Sequence, residues 1–235
     1  VDFYNIPMGM LYLATAIRDQ ADTTILNLNE IQNKDMEHVI RRQVKDVDIV
    51  FTGGLSVHYM QIKGIVHLVR KYNKDVRIIL GGGLVTSQPE LIEKLLTVVD
   101  VFHVGECDES DFTLNLKYRG ISNHMLVSTK ILNGVYPSYD LFNMDLYLSL
   151  QRPSDSLYRA VVSYPREAAI IASRGCPYKC TFCFHPTGDV YRQRSFDSIF
   201  IEIETLVKDY NINILTIYDE CFASNRKRLV EFCGR

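Results

Sequence analysis

Val76-Arg77-Ile78-Ile79-Leu80-Gly81-Gly82-Gly83 decides the fold. Its short, β-rich apolar run reads as a buried strand, and the glycines that end it mark a tight turn into a helix. The pattern recurs on either side, with Asp48 to Phe51 running into Gly53-Gly54 and Val99 to Val104 running into Gly105-Glu106. Between these strands, Ile62, Ile65, Val66 and Val69 recur at helical spacing, and Ser87 and Pro89 are starts for a helix carrying Leu91, Ile92, Leu95 and Leu96. Toward the amino terminus, Met10, Leu13, Ala14 and Ile17 mark one helical face, Thr23 to Leu28 reads as a strand, and a polar helix fits Asn33 to Lys45. Strands alternating with helices are the signature of stacked βαβ units and a parallel sheet, so the fold class is α/β. Gly53, Gly54, Gly81, Gly82, Gly83 and Gly105 sit just past the carboxyl ends of strands, as does Gly175 further on, where open α/β sheets bind ligands. A single glycine pair there is explained by a tight turn; clusters at equivalent strand ends point to a binding crevice.

From about Tyr118 to Arg166 the periodicity fades among Pro137, Pro153 and Pro165 and several tyrosines, as in an ordered but irregular connector. Ala168 to Ala172 then reads as a strand. It leads into Ser173-Arg174-Gly175-Cys176-Pro177-Tyr178-Lys179-Cys180-Thr181-Phe182-Cys183. Ser195 with Asp197 forms a helix start, with Ile199, Ile203, Leu206 and Tyr210 as the buried stripe. Ile212 to Tyr218 is a second strand ending at Asp219-Glu220, and Asn225 opens another helix. These elements are the first third of a βα barrel.

The chain has 235 residues, 47% of them hydrophobic and 23% charged, with a net charge of -2. Those values exclude disorder and low-complexity architectures. No stretch reaches the roughly 18 apolar residues of a membrane span, and no basic segment precedes an apolar run as in a signal peptide. The charge offers no basic surface for a phosphate backbone, so neither nucleic acid nor a membrane is an expected partner. Six cysteines are too sparse for a disulfide scaffold. Three of them close together favour a metal site in a reducing compartment, which makes the expected location cytoplasmic.

Cys176, Cys180 and Cys183, spaced C-x3-C-x2-C on a loop leaving a strand, would present three thiolates toward one point. That is enough for three irons of a cubane cluster with the fourth iron open. A structural zinc is the rival, because His185 could complete a Cys3His set in a non-catalytic interaction module.

The stretch Ser173 to Cys183, with Phe182 before the last cysteine, resembles the signature of radical S-adenosylmethionine (radical SAM) enzymes. The resemblance implies that Cys176, Cys180 and Cys183 hold a [4Fe-4S] cluster, that S-adenosylmethionine chelates its unique iron, and that Phe182 packs near the adenine. One electron would then cleave the sulfur to C5′ bond, and the 5′-deoxyadenosyl radical would take a hydrogen from substrate. Tyr191-Arg192-Gln193-Arg194-Ser195 and Asp219-Glu220-Cys221-Phe222 resemble the subgroup in which a cobalamin-binding domain precedes the radical domain. In that subgroup the acidic pair implies that Asp219 or Glu220 meets the methionine amino group. Arg192 and Arg194 fit either a solvated helix entrance or a cofactor contact. Cys221, Cys233 and Cys107 read as small apolar residues. No residue is assigned a catalytic role.

The amino-terminal half is similar to successive blocks of the same subgroup's B12-binding domain, through Pro7-Met8-Gly9-Met10-Leu11-Tyr12-Leu13-Ala14, Ile79-Leu80-Gly81-Gly82-Gly83 with Pro89-Glu90, and Val104-Gly105-Glu106. This implies cobalamin contacts from Gly53, Gly54, Gly81, Gly82, Gly83, Gly105 and Glu106. There is no Asp-x-His-x-x-Gly loop, and His58 is the only histidine placed to substitute, so cobalamin is expected without a histidine ligand from this loop. Gly105-Glu106-Cys107-Asp108 departs from the family's Gly-Glu-Gly-Glu.

The expected architecture is an amino-terminal Rossmann-like (flavodoxin-like) B12-binding domain over residues 1–120, a connector over 121–166, and the start of a partial TIM-like radical SAM barrel over 167–235. The expected function is cobalamin-dependent methyl transfer or radical rearrangement on a small-molecule substrate of unassigned identity, served by an electron donor such as flavodoxin or ferredoxin. A radical SAM enzyme that has lost cobalamin is an alternative. The family's first strand is expected ahead of Val1 and its later barrel strands after Arg235, which predicts poor solubility and no turnover for the fragment alone.

Overall fold

The structure, a computed structural model, describes residues 6–28, 31, 34–106, 119–122, 136–152 and 162–235. Val1, Asn33, Cys107, Asp108, Tyr118 and Pro153, named above, lie outside the described residues. The chain forms two compact units, Leu26–Val127 and Val1–Ile25 with Ser128–Arg235.

The helix that the sequence groups with the first domain, α1 (Met8–Ile17), belongs to the second of these units. The reason is its burial on more than one side: Leu11 and Tyr12 pack among Tyr139, Phe142 and Tyr147 as well as Leu206. Thr23 to Leu28, expected as a strand, forms none. A β-rich run becomes a strand only where an edge receives its backbone groups.

The unit Leu26–Val127 carries α2 (Met36–Gln43), β1 (Ile49–Gly53), α3 (Tyr59–Tyr72), β2 (Arg77–Gly81), α4 (Gly83–Ser87), α5 (Pro89–Leu95), β3 (Val101–His103) and β4 (Gly120–Ser122). All pairings are parallel, in the order β1-β2-β3-β4. This is the α/β architecture with a parallel sheet that the glycine-ended strands indicated, and it suits a Rossmann-like B12-binding domain. Ile62, Val66 and Val69 of α3 face Ile78, Leu80 and Phe102 in one core. Pro89 opens α5 at its first position. Of the expected stripe on α5, Ile92 and Leu96 are buried while Leu91 and Leu95 are exposed.

Asp100 ties the amino-terminal end of the sheet together. Its carboxylate accepts the Ile78 N–H at 2.9 Å and Arg70 Nη2 at 2.7 Å, and pairs with Arg119. Arg70 also donates to the carbonyls of Lys74, Val76 and Val98, joining the end of α3 to the approaches of β2 and β3. Burial by itself would raise the Asp100 carboxyl, but the Ile78 N–H and the two arginines outweigh it and hold the group below its ordinary range.

The other unit contains α6 (Met144–Ser149), β5 (Glu167–Ile170), β6 (Ser173–Arg174), β7 (Arg192–Gln193), α7 (Phe196–Tyr210), β8 (Ile214–Ile217) and α8 (Arg226–Gly234). β5 and β8 pair in parallel across the α7 crossover, from Glu167 opposite Ile214 to Ile170 opposite Ile217. Ser195 caps α7 by accepting the Ser198 N–H at 3.2 Å, and Asn225 caps α8 by accepting the Arg228 N–H at 3.1 Å. Arg194, open above between a solvated entrance and a cofactor contact, is instead buried at 3% exposure and paired with Glu202. It also donates to the Ile171 carbonyl at 2.9 Å and to Ser198, while Tyr139 donates its hydroxyl to Glu202 at 2.8 Å. Burial pushes the Glu202 carboxyl up, opposed by Arg194 and Tyr139.

Among the described residues, no helix is long and apolar enough to cross a membrane.

Candidate functional sites at the strand ends

Two sets of strand ends carry the residues singled out by sequence. In the unit Leu26–Val127, Gly53 is the last residue of β1 and Gly81 the last of β2, with Gly82 and Gly83 leading into α4. Gly105 and Glu106 follow β3. All seven cobalamin candidates therefore lie at the carboxyl edge of one parallel sheet, the position from which such sheets bind ligands. Glycine is required there for close backbone packing. A Cβ on Gly53 would lie 2.7 Å from the Gly81 carbonyl oxygen, and one on Gly82, whose φ is 80°, would lie 2.9 Å from the Gly54 nitrogen. The Leu84 N–H donates to the Gly54 carbonyl at 2.8 Å, so the turns after β1 and β2 rest on each other. A Cβ on Gly81 would make only ordinary contact, with His103 at 3.7 Å. Thr86 and His103 were not visible as site residues. The Gly105 N–H donates to Thr86 Oγ1 at 3.2 Å, and His103 Nε2 lies 3.1 Å from the Glu106 carbonyl oxygen, which fixes the turn after β3.

His58 caps its own turn. The Leu55 N–H donates to His58 Nδ1 at 3.3 Å, which puts the neutral imidazole's hydrogen on Nε2. Leu55, Val57 and Met60 of the same segment are exposed apolar side chains, beside exposed Ser56 and His58.

The second site is the loop between β6 and β7. These two short strands pair antiparallel, Ser173 with Gln193 and Arg174 with Arg192. Within this base, Gly175 takes φ 76°, and a Cβ there would lie 2.2 Å from the Val190 carbonyl oxygen. Its N–H donates to Thr187 Oγ1 at 2.9 Å, and the Cys176 N–H donates to the Gly188 carbonyl at 3.2 Å. Buried Arg192 donates to the Thr187 carbonyl at 2.9 Å. The loop is therefore closed at its root, with a turn inside it where the Cys183 N–H meets the Cys180 carbonyl at 3.0 Å. Cys180 and Cys183 are exposed and Cys176 is half-buried; all three are free thiols. Phe182 projects into solvent at 91% exposure, and His185 is half-buried.

Among the described residues, no three His, Cys, Asp or Glu side chains are gathered closely enough to hold a metal ion. The loop displays its thiols without caging them, and neither the three-cysteine set nor the set with His185 is assembled. The fit to an iron–sulfur cluster rests on the donor chemistry: three soft thiolate ligands on one closed loop.

The acidic pair after β8 divides into two environments. Asp219 Oδ1 accepts the Ala172 N–H at 2.7 Å and Oδ2 accepts the Ser173 hydroxyl at 2.5 Å. Burial pushes its carboxyl up, against the donors from Ser173 and Ala172 and the nearby Arg228. Glu220, by contrast, is exposed. Of the two carboxylates expected near S-adenosylmethionine, Asp219 is occupied in holding the root of the cysteine loop, and Glu220 is the accessible one.

The chain is 25% identical over 252 aligned residues to an uncharacterized methyltransferase of Pyrococcus horikoshii, covering 97% of this chain and 52% of that protein. It is 37% identical over 62 residues to the anaerobic magnesium-protoporphyrin IX monomethyl ester cyclases of Cereibacter sphaeroides and Rubrivivax gelatinosus, which is 26% of this chain and 10% and 11% of those proteins. The chain thus spans about half the length of the relative that it matches almost throughout. Residues 1–110 match the family model described as B12 binding domain.

Proposed function

We propose that this chain is part of a cobalamin-dependent radical S-adenosylmethionine enzyme that performs methyl transfer or a radical rearrangement on a small molecule. The observation that carries the reading is the junction of the closed C-x3-C-x2-C loop with the end of β8, together with the B12-binding-domain match upstream. The names of the relatives, a methyltransferase and cyclases, support enzymatic activity of this kind. Cys176, Cys180 and Cys183 would hold a [4Fe-4S] cluster, which when bound supplies the electron that activates S-adenosylmethionine. Phe182 is free to lie against an adenine, and Glu220 to accept from the methionine ammonium. Gly81 and the turns at Gly53-Gly54, Gly82-Gly83 and Gly105-Glu106 would line the corrinoid. A flavodoxin or ferredoxin would supply electrons, in the cytoplasm.

The test is anaerobic reconstitution with iron and sulfide, followed by low-temperature electron paramagnetic resonance with and without S-adenosylmethionine. A [4Fe-4S]+ signal that changes on adding the ligand and is lost in Cys180→Ala is the expected result. Stoichiometric zinc binding by the folded chain, lost in His185→Ala and without cluster formation, would replace this reading with the structural module. Absorbance changes of added cobalamin, followed separately, decide the corrinoid half.

A further inference from the structure

We infer that the cavity at the amino-terminal edge of the β1-β2-β3-β4 sheet binds the phosphoryl group of a small phosphate ester, with Arg77 as its principal ligand. The cavity has a volume of about 400 Å³, at the small end of ligand pockets, and lies wholly within the unit Leu26–Val127. Asp48, Asp100 and Arg119 stand immediately before β1, β3 and β4, and Arg77 is the first residue of β2, so the cavity is at the pole of the sheet away from the glycine turns. Arg77 is buried at 9% exposure, yet its Nε and Nη2 have no hydrogen-bond partner. Asp48 and Asp75 line the same cavity and leave both nitrogens unpaired. Asp100 is already taken by Arg70, Arg119 and the Ile78 N–H.

A guanidinium keeps its charge at any working pH, so burying one without a partner is unfavourable until an anion is supplied. Nε and Nη2 are the donors along one edge of the group, the edge that takes two oxygens of a carboxylate or phosphate side by side. Protein atoms cover them, so engagement turns this edge into the cavity. Lys74, exposed at the same cavity, supplies a third donor. Two donors from Arg77 and one from Lys74 suit the three terminal oxygens of a phosphate monoester, whereas a carboxylate would use only the first two. Arg70 adds charge without a further fork, because its nitrogens already donate to the Lys74, Val76 and Val98 carbonyls and to Asp100. Four basic side chains against three acidic ones leave the lining net positive. This site goes beyond the proposed function and rests on neither the iron–sulfur cluster nor the corrinoid.

Titration calorimetry of the 235-residue chain with inorganic phosphate, ribose 5-phosphate and succinate, in chloride buffer at fixed ionic strength, is the test. The expected result is saturable one-to-one binding in the order ribose 5-phosphate, then phosphate, then succinate. The unfolding midpoint should rise to match, as site binding requires, and not in proportion to added salt as general exclusion from the surface does. Arg77→Met should weaken ribose 5-phosphate at least about tenfold, the loss of charge-assisted hydrogen bonds. Arg77→Lys keeps the charge without the fork and should also weaken it, which decides the matter if the methionine variant does not fold. Lys74→Met should weaken binding by up to about fivefold, and Lys63→Met, outside the cavity, should leave it unchanged. Tighter binding of inorganic phosphate than of ribose 5-phosphate would assign the site to the free ion and overturn the ester. No saturable binding, binding unaltered in both Arg77 variants, or a preference for succinate overturns the inference as a whole.

Discussion

Asp219 accepts the Ser173 hydroxyl at 2.5 Å with one carboxylate oxygen while the other holds the Ala172 N–H, so the end of one parallel strand fixes the departure of its neighbour. Removing that acceptor leaves a largely buried N–H unpaired, a cost of about 1–3 kcal/mol. Asp219→Ala should therefore lower the urea midpoint, expose the Ala172 amide to hydrogen exchange and reduce iron loading without altering a thiol. Asp219→Asn, which keeps an amide oxygen for Ala172, should recover most of the protection at that amide.

Gly175 and Gly64 give opposite outcomes for the same substitution. At Gly175 the positive φ and the Val190 carbonyl oxygen both oppose a Cβ. Gly175→Ala should cost about 3 kcal/mol or more and open the root of the cysteine loop. At Gly64, inside α3, an added Cβ would meet nothing within 4 Å. Gly64→Ala should stabilise by about 0.5–1 kcal/mol. Equilibrium unfolding of the two variants side by side checks the contrast.

The Arg194–Glu202 pair is almost wholly buried, with side-chain exposures of 3% and 1%. Breaking such a pair from one side costs about 3–5 kcal/mol, because the remaining charge is stranded. Arg194→Met should be strongly destabilising, and the double variant with Glu202→Leu should be less so than Arg194→Met alone. Denaturation of the full set in a double-mutant cycle reads the difference.

Asp100 should make the sheet acid-sensitive. Its carboxyl is held below the ordinary 3.8, so its contribution is fully present above that value and is lost as the pH falls through the lowered folded value. Asp100→Asn should cost about 3 kcal/mol at neutral pH and flatten this acid limb. Arg119, exposed at 72%, should matter by less than about 1 kcal/mol when replaced by alanine. Hydrogen exchange at the Ile78 amide between acid and neutral pH follows the effect locally.

Strands that end in glycine were legible because two signals coincide there, an apolar run and a backbone that must turn. β1, β2 and β3 all follow that rule within two residues. Thr23 to Leu28 failed it, being an apolar run with no glycine turn after it, and it forms no strand. The cysteine spacing named a loop and its ligand chemistry. It could not distinguish Asp219 from Glu220, because adjacent carboxylates look alike until a strand register turns one inward. Arg194 was similarly opaque: its buried partner Glu202 lies close by in α7, but only the packing of Tyr139 against that carboxylate shows that the pair is internal.

The Asp100 junction lies at the amino-terminal end of its sheet, whereas the glycine turns lie at the carboxyl end. Anchorage and accommodation are thus assigned to opposite poles. The glycine turns are free to be reshaped for a different guest, by altered length or bulk at their rims, while the strands remain clasped from below.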